Sequence, residues 1–278
     1  MRQGARTQIL FDERREWLFS QLPADIGVAI LEHGEELGRR FLSVIPFSEQ
    51  LSIPDNAMRA ALRVHTFQMN AHVPPVAGLG VQHARCVDCA APDINVLHND
   101  VCPRRATHQG LHDNNVRAMQ NFIGDAPSTV VLREQPVRPG RNQRRTDLTV
   151  SGTAASDGSR REFDVTVTGQ RAPFAGIGLQ RSNASYVQRP SHPGTPRTRV
   201  ERARNILISR LVEKENHKFR SYPGVAGFRP FVLTINGARG PASDQDWTHW
   251  KSACSSMSLL TRTISVLLAE TRGSRYVF

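Results

Sequence analysis

The chain has 278 residues, a formal net charge of +11 and 39% apolar residues, with a mean hydropathy of −0.40. That length suffices for one large domain or two small ones with a sizeable core. No run of about 18 apolar residues is present to span a membrane, and the N-terminal stretch MRQGARTQILFDERREW lacks the continuous apolar segment of a secretory signal, so an intracellular protein is expected.

Arginine supplies most of the positive charge and clusters in 133–145, 160–161 and 197–204. With a pI near 10.6, this fits a polyanionic partner, most simply nucleic acid. In a reducing compartment the four cysteines are not expected to pair as disulfides. Three of them fall within residues 86–102, and Cys254 sits alone in an apolar segment as a core residue.

Residues 8–70 carry apolar positions at three- and four-residue spacing and are expected to be helical. Pro46 closes one helical run, and Pro54-Asp55-Asn56 opens the next. A Pro/Gly linker (71–85) and a compact cysteine–histidine segment (86–112) follow. Helix is expected again over 112–123, with Val116, Met119 and Ile123 on one face. The β-branched run TVVLREQ (129–135) reads as a strand, as do TDLTV and REFDVTV, which flank a turn around Ser156-Asp157-Gly158. Residues 170–200 show no period and read as a long loop. A helix over 197–218, a strand over 229–237 and a last helix over 243–271 complete the chain. The fold class is therefore α/β, a mixed sheet with helices packed on it, with the helical segment 1–70 and the cysteine segment outside the sandwich.

Cys86-x2-Cys89-x8-His98-x3-Cys102 has the ligand types and spacing of a small Zn²⁺ site. A segment this short buries too little apolar surface to fold alone, so metal binding would supply its folding energy. His108 and His112 are competing ligands of lower rank. Such a site is either purely structural or presents Arg104 and Arg105 to a phosphate backbone; spacing does not separate the two.

Side chains alternate faces along a strand. Asp147 and Thr149 share one face of their strand, and Asp164 and Thr166 share one face of theirs. Joined as a hairpin, the strands are expected to bring Asp147 and Asp164 to one side of the sheet, with the apolar side packed on a helix. Two close carboxylates repel unless a cation or shared proton neutralises them, and an oxygen-preferring divalent ion, Mg²⁺ or Mn²⁺, is the natural solution. Arg144 and Arg145, just before Asp147, are placed to hold an anionic backbone.

In chain order, the segment Cys86 to Cys102, LHDNNVRAM, RRTDLTV and FDVTVTG resemble the C-terminal region of early-branching, site-specific non-LTR retrotransposons. That region carries a CCHC zinc knuckle, a His-Asp or His-Asn helix and a restriction-enzyme-like nuclease; the resemblance covers about residues 40–240. It implies a PD-(D/E)xK fold over 112–278 that nicks target DNA to prime reverse transcription, with Asp147 as the first acid and Asp164 as the second. Thr146 replaces the family's usual proline, and Thr166 stands where the simple motif has lysine. In related nucleases the lysine comes from the following helix. Lys214 and Lys218 are the candidates, with Lys218 favoured because Tyr222 follows it.

Glu134 is either a third acid or a partner for a nearby arginine; Asp113 is either a helix N-cap or an extra metal ligand; and His112 fits the family's His-Asp pair. The resemblance also implies element RNA and a reverse transcriptase domain as partners, and a nuclear location. The chain has no Tyr-x-Asp-Asp polymerase motif, and so reads as the detached tail of a polyprotein or a truncated copy. Two other functions compete: a non-catalytic zinc-stabilised nucleic-acid-binding module, and an inactive remnant of a mobile element.

Overall fold

A computed structural model describes residues 3–21, 24–44, 46, 48, 51–65, 109–136, 145–156, 158–169 and 198–276. The cysteine segment and residues 170–197 of the loop expected over 170–200 lie outside these residues, and 199–200 already belong to a helix. Among the described residues, no helix is long and apolar enough to cross a membrane.

Four strands form one sheet in sequence order: β1 (Val130–Pro136), β2 (Arg145–Ser151), β3 (Arg161–Thr168) and β4 (Phe228–Thr234). The first three pair antiparallel, and β4 joins β3 in parallel. The sheet is therefore mixed. Its eight helices among the described residues are α1 (Gln3–Gln21), α2 (Ala24–Gly34), α3 (Glu36–Arg39), α4 (Asp55–His65), α5 (Gln109–Ile123), α6 (Arg199–Ser221), α7 (Pro241–Ala253) and α8 (Met257–Tyr276).

Alternation along the strands sorts the two faces. Leu148, Val150, Phe163, Val165, Val167, Phe231 and Leu233 point to one side, where they meet α5, α7 and α8 in the main core. Trp247 and Trp250 of α7 are fully buried there, and Trp250 lies 5.4 Å from Phe231, ring to ring. Burying each such side chain is worth about 1.5–3 kcal/mol. On the other side Val232 packs under α6 with Phe19, Val28 and Leu31 from the N-terminal helices.

The N-terminal helices, set apart from the sandwich by the sequence pattern, pack directly against it. Phe41, Leu51 and Ala61 pack on Val266 and Ala269 of α8. Glu16 of α1 accepts from the Arg199 and Val200 amides at the start of α6, at 2.9 and 3.2 Å. A carboxylate at that place meets the positive end of the helix dipole.

The single helix expected over 243–271 is two. It breaks at Cys254, a buried free thiol in extended conformation, and Ser256 ties the break to α5 by donating to the Phe122 carbonyl at 2.8 Å. Burial holds the Cys254 thiol above its usual pKa, which fits a core role.

α6 explains how the site is approached. Thr198 caps it through a reciprocal capping box with Glu201. Val200, Ala203, Leu207 and Leu211 form its buried stripe, which continues into the buried Glu215 and then the half-buried Lys218 and Tyr222. Glu215 is fixed by the start of α7: it accepts from the Ala242 amide at 3.2 Å, the Ser243 amide at 3.1 Å and Ser243 Oγ at 3.0 Å. A Cβ on Gly240 would run into this carboxylate. Removing it leaves buried amides without an acceptor, so Glu215→Ala is expected to lower stability by about 2 kcal/mol, measured by urea unfolding.

Candidate active site at the β2–β3 fork

The ladder between β2 and β3 is short. It runs from Val150↔Arg161 to Leu148↔Phe163 and goes no further, although both strands continue. Beyond that point the strands are held by side chains. Asp147 Oδ2 accepts from the Val165 amide at 2.6 Å, a charge-assisted bond in the place a main-chain carbonyl would fill.

That bond puts the Asp147 carboxylate against the peptide joining Asp164 to Val165. Strand alternation alone put the two acids on one face. In the structure Asp164 faces α6, whereas Asp147 lies in the seam between the strands and is reached by His112 from α5, on the opposite face. The alternation rule loses its hold there because the ladder has already ended.

Each carboxylate has a cation of its own. Lys218 Nζ donates to Asp164 Oδ1 at 2.7 Å, and the Tyr222 hydroxyl donates to Asp164 Oδ2 at 2.5 Å. His112 Nε2 lies 3.2 Å from Asp147 Oδ2, and its Nδ1 lies 2.9 Å from Asp113 Oδ1. Hydrogen bonding to Asp147, opposed by burial and helped by Asp113, raises the His112 pKa to about 9. The imidazole is therefore charged at neutral pH and donates from both nitrogens. His112 in turn holds the Asp113 carboxyl below its usual range.

The other candidates sort by position. Lys214 precedes Glu215 by one residue, which turns it away from the sheet; it is exposed and makes no hydrogen bond or ion pair among the described residues. Asp113 is not an N-cap, because α5 begins at Gln109 and Asp113 accepts from the Gln109 side chain at 2.8 Å, within the first turns. Glu134 is exposed and sits 3.7 Å from both Arg133 and Arg145, with a left-handed backbone (φ 50°) rare for a residue with a side chain. Arg145 is exposed at the start of β2. Cys86, Cys89, His98, Cys102, Arg104, Arg105 and Arg144 lie outside the described residues.

One group went unremarked in the sequence pattern. Glu162, two residues before Asp164 and on the same side of β3, is buried and accepts from Thr146 Oγ1 (2.7 Å), Thr149 Oγ1 (2.6 Å) and Arg160 Nε (2.5 Å). Those three donors make it a structural anchor between the strands. Tyr222, which the sequence reading used only to favour Lys218, itself donates to Asp164. The alternation of Thr149 with Asp147, and of Glu162 with Asp164, was the signal available for Glu162.

Among the described residues, no group of three or more His, Cys, Asp or Glu side chains is arranged to hold a metal ion. What the fork offers is two carboxylates, with Asp147 Oδ1 making no hydrogen bond among the described residues. Comparison with protein-family models, curated proteins and solved structures returns no match.

The His112 charge gives a pH signature. Its folded pKa is raised above the ordinary value of 6.5, so its stabilising contribution is complete below that value and is lost as pH rises towards about 9. An NMR titration of the His112 ring in buffer without divalent ions should show a midpoint near 9, and Asp147→Asn should bring it down towards 6.5.

Proposed function

We propose that the chain is a metal-dependent DNA endonuclease module of the retrotransposon kind, with Asp147 and Asp164 as its acids and Lys218 as the assisting lysine. The observation that carries this reading is the fork itself. Asp147 is held on the amide that directly follows Asp164, and a helix-borne lysine is held on Asp164. Asp147 touching the peptide after Asp164, and Lys218 touching Asp164 itself, support a site of two acids and a lysine drawn from three elements. The mixed sheet with helices on both faces is compatible with a PD-(D/E)xK fold and supports it at the level of architecture.

An oxygen-preferring ion fits the donor set. Both ligands are carboxylates, and Mg²⁺ commonly takes one or two of these, keeping water and substrate oxygens for the rest. When bound, such an ion supplies activation of water and screening of charge at the phosphodiester. Asp147 and Asp164 would hold it.

The chain's other residues have their own tasks. Lys218 brings a fixed positive charge beside Asp164, where negative charge develops as water adds to phosphorus. The bond from phosphorus to the 3′ oxygen then breaks, and that oxygen takes up a proton to leave a 3′-hydroxyl opposite a 5′-phosphate. His112 holds Asp147 in the seam. Arg145, exposed at the start of β2, would hold the DNA backbone, joined in this reading by Arg144, Arg104 and Arg105. A Zn²⁺ knuckle at Cys86, Cys89, His98 and Cys102, the target duplex, element RNA and a reverse transcriptase domain as partners, and a nuclear location all belong to the same proposal.

One observation favours a second reading, a zinc-stabilised nucleic-acid-binding module that does not cut. Each acid of the fork already has a protein cation against it, His112 for Asp147 and Lys218 for Asp164, without any added ion.

Plasmid nicking separates the two. With Mg²⁺ the chain should relax supercoiled DNA; Asp147→Ala and Asp164→Ala should each lose this by about 10²-fold or more while keeping the wild-type circular dichroism spectrum. Lys218→Ala should lose about 10²-fold, and Lys214→Ala should match wild type. A chain that binds DNA with steep salt dependence, contains zinc and never nicks is the binding module instead.

A further inference from the structure

The fork is braced by one group that neither the acids nor the lysine accounts for. We infer that Tyr222 is a positioning residue whose hydroxyl sets the separation of β2 and β3 and thereby the placement of the two acids; this rests on the endonuclease reading above. The single proton of its hydroxyl faces two acceptors, Asp164 Oδ2 at 2.5 Å and the Arg145 carbonyl at 3.0 Å. Arg145 lies on β2, two residues before Asp147, and Asp164 lies on β3. The hydroxyl therefore spans the two strands just where their main-chain ladder has stopped.

The ring that carries this hydroxyl is itself fixed. It stacks on Phe228 with centroids 4.3 Å apart and planes at 19°, and Phe228 pairs with Glu162 at the start of the β3–β4 ladder. Tyr222 closes α6 as its C-terminal cap residue, so its position follows that of the helix bearing Lys218. One side chain thus ties β2, β3, β4 and α6 together at the site. With Lys218 on Oδ1 and Tyr222 on Oδ2, the Asp164 carboxylate has one orientation.

Without the hydroxyl, Asp147 and the threonines on Glu162 remain to tie the start of β2 to β3, and Asp164 keeps Lys218 of the pair. Tyr222→Phe retains the stacked ring and removes only the hydroxyl, which makes it the variant of choice. The Val165 amide, whose acceptor is Asp147, should exchange with solvent about tenfold faster in the variant, with amides of β4 and the melting temperature close to wild type. Mn²⁺ affinity, measured by calorimetry on the full chain, should fall by about tenfold. The Mg²⁺ concentration for half-maximal nicking should rise to the same extent, with the rate at saturating Mg²⁺ within about twofold of wild type.

Unchanged Val165 exchange overturns the inference, and so does faster exchange with unchanged Mn²⁺ affinity. If the wild-type chain neither binds Mn²⁺ nor nicks DNA, the endonuclease reading falls separately. The exchange measurement then decides the brace alone: faster exchange at Val165 upholds it and unchanged exchange overturns it.

Discussion

The hydrogen bond from the Val165 amide to the Asp147 carboxylate organises this protein's site. A strand amide buried beside a partner strand needs an acceptor, and at this point β2 no longer offers a carbonyl in register. Asp147 supplies the acceptor with its side chain. The substitution lets the two strands part without leaving an orphaned donor, and it draws a charged group into the gap. A charge placed there demands compensation, because removing a carboxylate from water without a partner costs several kcal/mol. His112 answers that demand at Asp147, and Lys218 and Tyr222 answer the same demand at Asp164.

α6 meets the demand from one side by changing character along its length. Its first three turns bury Val200, Ala203, Leu207 and Leu211 against the sheet and the N-terminal helices. From Glu215 onward the same face is polar, and each polar group has a fixed partner: the start of α7 for Glu215 and Asp164 for Lys218 and Tyr222. The apolar half anchors the helix; the polar half works at the fork. Capping at both places, by Thr198 and Glu201 at the start of α6 and by Glu215 at the start of α7, makes the geometry rigid enough for a lysine to be held at one oxygen of one carboxylate.

Much of this was legible in the residues, and the reasons for the rest are specific. Strand and helix order followed from period, because Leu148, Val150, Phe163 and Val165 alternate and the α6 stripe repeats every three or four residues. Cys254 was readable as core from its apolar surroundings, but not as a helix break, since the break is stabilised by Ser256 reaching across to α5. Lys218 was separable from Lys214 only through the aromatic residue four positions on. Asp113 looked like a cap because local sequence cannot show that the helix starts four residues earlier, at Gln109. The packing of α1–α4 on α6 and α8, and the contact of His112 with Asp147 across 35 positions, are tertiary facts with no local periodic signature.

Two histidines show how the fold assigns charge. His33 is buried beside Arg272 and His65, and burial, helped by the positive charge of Arg272, pushes its pKa down to about 3. His112 is half-buried between Asp147 and Asp113, which push its pKa up to about 9. The same side chain is thus neutral in one cluster, where burial dominates, and cationic in the other, where two carboxylates outweigh burial. Near His33 the fully buried Arg272 has its guanidinium 5.5 Å from the Phe41 ring, and the buried Glu32 accepts from Asn236 in the same cluster. At the fork the charge is divided among groups that are only partly buried, Lys218 and His112 each being about a quarter exposed. A buried cation such as Arg272 is committed to the fold, whereas cations at a partly open seam can be exchanged for another positive partner at modest cost. Among the described residues, that difference in burial favours the acids of the fork over the polar cluster under α3 as partners for something from outside.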